Sequence, residues 1–223
     1  MVLRRTIPAT ASVVKKMNGD RLHSPAAAKN VGHITELVCS VSPKNGTALE
    51  IASGTGQHII KLAAVIPNLT WQPSDIDTAR LNSIVSWSFE KQLPNLLPPI
   101  KLDVTDEGWS ALCPNQDLIL LVNLLHLVSE SEAKVIIDGI SKSLMPGGRC
   151  VIYGPFMRDG FLTSDGDKCF HQSLVEADPD IGYKDDKWML DMFQNYNLEI
   201  VKIANMPANN LAFVIEKNHL KRS

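Results

Sequence analysis

The sequence predicts an α/β protein with a doubly wound, mostly parallel sheet of seven strands that closes with a C-terminal antiparallel hairpin. Short apolar runs of strand length alternate with amphipathic stretches of helical spacing, which is typical of consecutive βα units. A glycine-containing turn, SGTG at 53–56, follows the first apolar run and leads into a helix. The last two runs, 198–204 and 211–216, are joined by a short loop without a helix, which indicates the hairpin.

Length and composition favour a single domain over 1–223. The chain has 223 residues, of which 44% are hydrophobic and 21% charged, and these values suit one domain with a sizeable core. Residues 1–24 are polar and irregular in pattern, and no linker suggests a second domain. The formal net charge is −2 and the chain has no long basic block, so binding to nucleic acid is not expected.

The sequence also predicts a cytoplasmic location and argues against a membrane span and a metal site. No apolar run reaches the length of about 18 residues that a membrane span needs, and the N-terminal segment lacks the apolar centre of a secretory signal. The cysteines form no CxxC pair, and Cys169-Phe170-His171 has no companion ligands, so a metal site is not expected. We therefore expect a cytoplasmic protein with reduced thiols and no membrane partner.

The segment 47–77 has the order strand, glycine turn, helix, strand and acidic residue. Without a Cβ, Gly54 and Gly56 allow a tight turn and close approach of a ligand to the backbone. Asp75 comes 19 residues after Gly56, where an acidic side chain at the end of a second strand can accept both ribose hydroxyls. The glycines alone would fit an ordinary strand-to-helix turn, but their spacing from Asp75 favours a nucleoside-binding βαβ unit.

Two residues indicate which nucleoside this unit binds. Dinucleotide folds place a third glycine where helix and strand pack over a pyrophosphate, and Ile59 takes that position here. Glu50 adds negative charge just before the turn, which suits an ammonium group and repels a phosphate. Both features favour S-adenosylmethionine (SAM) over NAD as the cofactor. An NAD-dependent oxidoreductase is therefore the less favoured interpretation.

The segments around this unit supply further elements. Ser24-Pro25 predicts the start of a helix over 25–40, which lies over the cofactor edge of such sheets. A third strand, 100–102, ends at Asp103. Asp103 and Val104 form the second predicted cofactor contact, because an acidic side chain there can accept the exocyclic amine of adenine. The alternative is that Asp103 only caps the turn that follows it.

The second half of the chain continues the alternation. The predicted fourth strand, 116–123, contains a continuous apolar run, as expected for a strand covered on both faces, and Asn123 and His126 lie at its carboxyl end. The polar stretch 157–185 interrupts the βα pattern, and we expect an insertion that covers the carboxyl edge like a lid. The other predicted elements are helices at 78–92, at 129–144 behind a capping box, and at 187–196, and a fifth strand over 149–153.

Six segments together resemble the UPF0585 or DUF938 family, which includes methyltransferase-like protein 26. They are ALEIASGTGQH, WQPSDID, LDVT, NLLH, YGPF and MPANN, and the resemblance extends from about His23 to Glu216. Seven strands with a closing hairpin also look like the Rossmann-like fold of class I SAM-dependent methyltransferases. The resemblance implies that fold and SAM binding, but no substrate. NLLH at 123–126 replaces the NPPY-type tetrad of amino-group methyltransferases, so amide or adenine methylation is not implied.

The carboxyl ends of parallel strands meet at one edge of the sheet, where ligands bind. His126 is the candidate base there, because imidazole titrates near neutral pH, and Tyr153, Asn209 and Asn210 are candidate substrate contacts. The structural alternatives are packing beneath the lid for His126, aromatic core for Tyr153, and turn geometry for the two asparagines. The predicted cofactor-binding residues are Glu50, Gly54, Gly56, Asp75, Asp103, Val104 and Asn123.

The sequence thus predicts an enzyme that transfers a methyl group from SAM to a small polar metabolite by in-line displacement, a reaction that needs mainly alignment and desolvation. Arg158, Arg21 or Lys29 could pair with a carboxylate of this acceptor. The alternative is a non-catalytic protein of the same fold that binds the nucleoside or a protein partner, because the chain has no clear catalytic tetrad.

Overall fold

The computed structural model describes residues 7–8 and 10–219. The helices are α1 Pro25–Val41, α2 Gln57–Val65, α3 Thr78–Lys91, α4 Glu130–Ser143, α5 Asp165–Ala177 and α6 Asp186–Asn195. The strands are β1 Lys15–Lys16, β2 Leu22–His23, β3 Gly46–Ile51, β4 Leu69–Asp75, β5 Ile100–Lys101, β6 Gln116–Val122, β7 Leu144–Gly154, β8 Phe156–Met157, β9 Lys184–Asp185, β10 Leu198–Asn205 and β11 Leu211–Lys217.

The predicted seven-stranded, mostly parallel sheet is confirmed. Its strands lie in the order β10-β11-β7-β6-β3-β4-β5. Parallel pairs join β5 to β4, β4 to β3, β3 to β6 and β6 to β7, whereas β11 is antiparallel to both β7 and β10. Strand β10 therefore runs in the same direction as the first five strands, and the loop 206–210 reaches the same edge as their carboxyl ends.

Helices cover both faces of the sheet, which explains the continuous apolar run in β6. Leu118 and Leu120 pack in the layer below α1 and α2, whereas Ile119 and Leu121 pack in the layer below α4 and α6. All four side chains are fully buried. A strand buried on both faces loses the alternation of apolar and polar residues that marks a strand with one solvated face.

Helix termini follow the predicted capping chemistry. The Ser24 hydroxyl accepts a hydrogen bond from the Ala27 N–H at the start of α1, and Pro25 occupies the first turn. The Ser129–Glu132 capping box at the start of α4 is present in both directions. These local contacts satisfy N–H groups that have no partner within the helix.

Two segments are more regular than the sequence indicated. The predicted lid contains helix α5 and the short parallel pair β8–β9. Only Leu174 of α5 is buried, and the first turn of this helix, 165–168, consists of charged residues and glycine that resemble a loop in the sequence. In the described part of 1–24, the segment expected to be irregular, β1 and β2 form a small antiparallel ribbon.

Neither a membrane span nor a metal cluster is found among the residues that the structure describes. No helix there is both long and apolar enough to cross a bilayer. The same residues contain no group of three or more His, Cys, Asp or Glu side chains that could hold a metal ion.

Candidate functional site

The turn between β3 and α2 is held in left-handed backbone conformations. Ala52, Gly54 and Gly56 have φ angles of 52°, 58° and 88°. A side chain in this region costs roughly 1–2 kcal/mol, so the backbone at Ala52 is strained, and such strain concentrates at ligand sites. A Cβ on Gly56 would lie 3.1 Å from Ile84 Cγ1, which is tighter than an ordinary contact, so glycine favours this close packing of α3.

Glu50 lies near the carboxyl end of β3 and is almost completely buried, with 1% of its surface exposed. Its Oε2 atom has no hydrogen-bond partner in the described structure. Burial raises the pKa of Glu50 to about 8, and the charge of Asp75 adds to this shift while Ser53 opposes it. At pH 7 the carboxyl is therefore mainly protonated, and it bears the predicted negative charge only where a nearby cation lowers its pKa.

Asp75 ends β4 and supports the glycine turn directly. Its Oδ2 atom accepts the Gly54 N–H at 2.9 Å, and its Oδ1 atom accepts the Asp77 N–H at 2.9 Å. Burial raises the pKa of Asp75, although these hydrogen bonds and the charge of Arg80 oppose the shift. A carboxylate oxygen can accept two hydrogen bonds, so Asp75 is able to hold the turn and accept from a ligand at the same time.

Asp103 and Val104 follow β5 at the same edge. Asp103 Oδ1 accepts hydrogen bonds from the Thr105 N–H at 3.0 Å and from the Thr105 hydroxyl at 2.6 Å. Val104 is 6% exposed and packs in the layer below α4. Asp103 therefore caps the turn that follows it, and its Oδ2 atom takes no part in these two hydrogen bonds.

Asn123 joins the carboxyl ends of β6 and β7. Its backbone adopts a φ of 56°, and its N–H donates to the carbonyl oxygen of Tyr153 at 2.8 Å. A Cβ on Gly154 would lie 3.7 Å from Asn123 Oδ1, so the amide group lies beside the end of β7. The strand ends are therefore fixed relative to each other at the predicted site.

His126 is packed beneath the lid, as in the structural alternative to a catalytic base. Its ring is 5% exposed and makes edge contacts with Phe170 and Tyr183, with ring centroids 5.6 and 6.3 Å apart. Burial lowers the pKa of His126 to about 3, and the nearby charge of Lys184 contributes. In this arrangement the imidazole is neutral at pH 7, and its affinity for a proton is far below that of an effective general base.

Tyr153 belongs to a buried polar chain whose other members the sequence did not suggest. Its hydroxyl hydrogen bonds with Asn30 of α1, and burial raises the pKa of Tyr153. The Asn30 Oδ1 atom lies 2.8 Å from His58 Nε2, and burial lowers the pKa of His58 to about 4. Neutral His58 then donates to the Asn30 oxygen, which leaves the Asn30 amide to donate to Tyr153. The sequence signal that could have revealed this chain is Asn30, a single polar residue on the apolar face of α1.

The loop between β10 and β11 is tied to the lid by Asn209. Its side-chain amide donates to Asp167 Oδ2 at 3.1 Å, and its carbonyl oxygen accepts from Arg158 at 3.0 Å. Asn210 instead donates to the carbonyl oxygens of Pro207 and Ala208 within the loop. The two asparagines, which the sequence did not distinguish, thus have different contacts: one joins two segments and the other shapes a turn.

Asp167 organises the start of the lid helix. It accepts hydrogen bonds from Thr163, Ser164 and Tyr183 as well as from Asn209. Burial alone would raise the pKa of Asp167, but these hydrogen bonds together outweigh it and lower the pKa. Nothing in the sequence marked this aspartate, because its partners lie up to 42 residues away.

The three predicted cations for an acceptor carboxylate have different surroundings. Arg158 also donates to the Phe156 carbonyl oxygen at 3.0 Å, so its guanidinium already holds the lid backbone. Arg21 pairs with Glu90 and stacks over Trp87 at 5.1 Å. Lys29 is exposed on α1. None of the three is therefore distinguished by its contacts as an acceptor ligand.

Solved structures of methyltransferases share this fold. An O-methyltransferase family protein from Burkholderia thailandensis superposes with a TM-score of 0.75 at 16% identity, over 88% of this chain and 57% of that protein. Human N-acetylserotonin methyltransferase in complex with SAM gives 0.71 at 14% identity, over 87% of this chain and 53% of that one. An O-methyltransferase family 2 protein from Planctomyces limnophilus, in complex with apigenin, gives 0.72 at 15% identity, over 86% and 60%.

These likenesses establish the class I methyltransferase fold, although the chain spans less than two thirds of the length of each of these proteins. A family model described as "Protein of unknown function (DUF938)" matches residues 21–217. This range contains all eleven predicted site residues, from Glu50 to Asn210, and agrees with the resemblance seen in the sequence. The chain therefore belongs to the DUF938 family.

Proposed function

We propose that this protein is a SAM-dependent methyltransferase that acts on a small polar molecule. The observation that carries the proposal is the buried Glu50 carboxyl, whose Oε2 atom has no partner in the described structure. A buried carboxyl oxygen without a partner costs free energy, and a cation beside it would offset this cost. SAM carries an ammonium and a sulfonium group and supplies an activated methyl group, whereas the pyrophosphate of NAD offers Glu50 no cation.

The neighbouring residues fit the rest of such a ligand. The glycine turn permits close approach to the backbone, and Asp75 retains acceptor capacity for ribose hydroxyls. The second oxygen of Asp103 suits an adenine amine, Val104 supplies apolar surface below it, and Asn123 lies at the adjoining strand end. We assign the cofactor to these residues together with Glu50.

The lid supports a compact acceptor. Phe170 of α5 contacts His126, and Asp167 of α5 joins the loop 206–210 through Asn209, so we expect the lid to exclude water from a bound acceptor. The similar solved proteins include an enzyme named for N-acetylserotonin and a complex with apigenin, both small molecules. The net charge of −2 provides no attraction toward a phosphate backbone.

The buried residues suggest how the chain contributes to methyl transfer. Tyr153 accepts from Asn30, which leaves its own hydroxyl proton to donate toward an acceptor or a bound ligand. His126 has no role as a base while it stays packed, so the proposed acceptor arrives with a nucleophile that is already unprotonated. The buried state of His126 also favours a second candidate, a SAM-binding protein without transferase activity.

Ligand binding by calorimetry tests the proposal. We expect SAM and S-adenosylhomocysteine to bind and NAD not to bind, because the turn lacks the third glycine of pyrophosphate-binding folds and Glu50 provides a site for an ammonium group. Binding of NAD without binding of SAM would contradict the proposal. Tight SAM binding with no labelled methyl transferred to a metabolite extract would support the second candidate, and transfer only to RNA or DNA would refute the small-molecule acceptor.

Asn209 and Asn210 form a matched pair for testing the lid. We expect Asn209→Ala to lower the rate of labelled methyl transfer roughly fivefold, since it removes one hydrogen bond worth about 1 kcal/mol between the loop and Asp167. SAM affinity should stay nearly unchanged. Asn210→Ala should leave transfer less affected, because its side chain contacts only its own loop. Equal effects of both variants would show that the lid contact is irrelevant.

A further inference from the structure

We propose that the exposed edge of strand β10 pairs antiparallel with β10 of a second copy, so that the protein forms a two-fold symmetric dimer. Strand β10 ends the sheet and, among the described residues, pairs only with β11. An unpaired edge presents backbone N–H and C=O groups that can continue the sheet into another chain. The two-fold relation makes the interface isologous, so one surface serves as both partners.

Strand β10 lacks two features that usually protect an edge, short length and proline, although it carries Lys202 and a β-bulge. Ile200, Val201 and Ile203 expose 39%, 46% and 45% of their surfaces. The strand is eight residues long and contains no proline, whereas the opposite edge strand, β5, has only two residues. Short length and proline are common means of blocking edge-to-edge pairing. A long edge with exposed β-branched residues is therefore suited to a partner strand.

The charges on β10 are complementary to themselves in one antiparallel register. If the two-fold axis lies between Ile200 and Val201, Glu199 of each copy stands opposite Lys202 of the other. Ile200 then faces Val201, and Leu198 faces Ile203. Both charged side chains are exposed, and cross-strand pairs of opposite charge stabilise antiparallel strands. This single register matches every charge and every apolar residue of the segment.

Within its own chain, neither Glu199 nor Lys202 stands across from a residue of opposite charge on β11. Glu199 stands opposite Glu216 of β11, and Lys202 stands opposite Val214. Glu216 binds Arg149 at 2.8 Å, so that cation is already engaged. A lysine from a second copy would supply Glu199 with the cross-strand cation that β11 does not provide. This self-complementarity favours a second copy over an unrelated partner.

A β-bulge between Ile200 and Lys202 limits the length of the pairing. The register of β10 against β11 shifts there by one residue, which increases the local twist of the strand. We therefore expect a short ladder over Leu198–Ile203, with much of the contact coming from the exposed apolar side chains.

Sedimentation equilibrium over a wide range of protein concentrations tests the dimer. The wild-type chain should show a dimer, and Ile200→Lys should weaken the dimer at least tenfold because it brings a charge into the apolar centre. Phe89→Lys is the matched control, since Phe89 is 85% exposed but lies on α3 near the opposite edge of the sheet. A wild-type monomer at every concentration, or equal weakening by both variants, would refute the proposal.

Charge reversals test the register itself. Glu199→Lys and Lys202→Glu should each weaken the homodimer at least tenfold, because like charges then face each other at two symmetric positions. A mixture of the two variants should form heterodimers, and the double variant should recover the wild-type dimer. Circular dichroism confirms folding, and Glu199→Lys should keep the monomer stable because the introduced lysine would face Glu216. Unchanged dimer affinity in both single variants, or no heterodimer in the mixture, would overturn the proposed register.

Discussion

Replacement of Glu50 by glutamine is expected to weaken SAM binding by about 2–5 kcal/mol, which corresponds to at least a thirtyfold loss of affinity. The glutamine side chain keeps the size of the buried group but cannot become the anion that a bound ammonium requires. Because burial raises the pKa of Glu50 to about 8, SAM binding at pH 7 should release a proton from the wild-type protein. Calorimetry in buffers of different ionisation enthalpy measures both the affinity and the released proton.

The free protein provides the control for this variant. The folded-state pKa of Glu50 lies above its ordinary value of 4.5, so the folded protein binds more protons than the unfolded chain between pH 4.5 and about 8. Stability should therefore fall as the pH rises through this window. Glu50→Gln lacks the group, so it should unfold at a higher temperature than wild type at pH 9 but not at pH 5. Unchanged SAM affinity in a folded Glu50→Gln protein would remove Glu50 from the cofactor site.

Substitution of Asp75 by alanine is expected to weaken SAM binding by about 1.5–3 kcal/mol, the range for hydrogen bonds to a charged group. The structure adds a second effect that the sequence did not indicate. The N–H groups of Gly54 and Asp77 would both lose their acceptor, so thermal stability should also fall. Asp75→Asn is the matched variant, because its single oxygen still accepts one of these bonds.

Comparison of the two Asp75 variants separates support of the turn from contact with the ligand. If Asp75 contacts ribose, both variants should bind SAM less tightly, although Asp75→Asn should retain more of the wild-type stability. Normal affinity in Asp75→Asn with a cooperative unfolding transition would limit Asp75 to holding the turn at Gly54.

The sequence predicted those site residues whose positions depend on a fixed spacing along the chain. Asp75 follows the glycine turn at a fixed distance because one helix and one strand must fit between them, and the structure brings Asp75 Oδ2 to the Gly54 N–H. Asn209 and Asn210 were predicted because two consecutive amides stand in a short loop. Their contacts differ because only Asn209 reaches Asp167, which lies on a helix distant in sequence. Nothing near Asn209 in the chain carries that information.

The sequence by itself determined the succession of sheet strands along the chain, the glycine turn, the helix caps and the closing hairpin. These features depend on apolar periodicity, on residues that tolerate special dihedral angles, and on contacts within a few positions of the chain. Helix α5 was not predicted, because it buries only Leu174 and begins with the polar, glycine-containing stretch 165–168.

Only the tertiary structure decided the chemical state of the site. Whether Glu50 is charged, whether His126 can accept a proton, and whether Tyr153 donates or accepts depend on which atoms exclude water and supply hydrogen bonds. Those atoms come from distant segments: α1 faces Tyr153, and the lid covers His126. A residue's type fixes its available chemistry, but burial by parts of the chain far away in sequence sets the protonation state in which it acts.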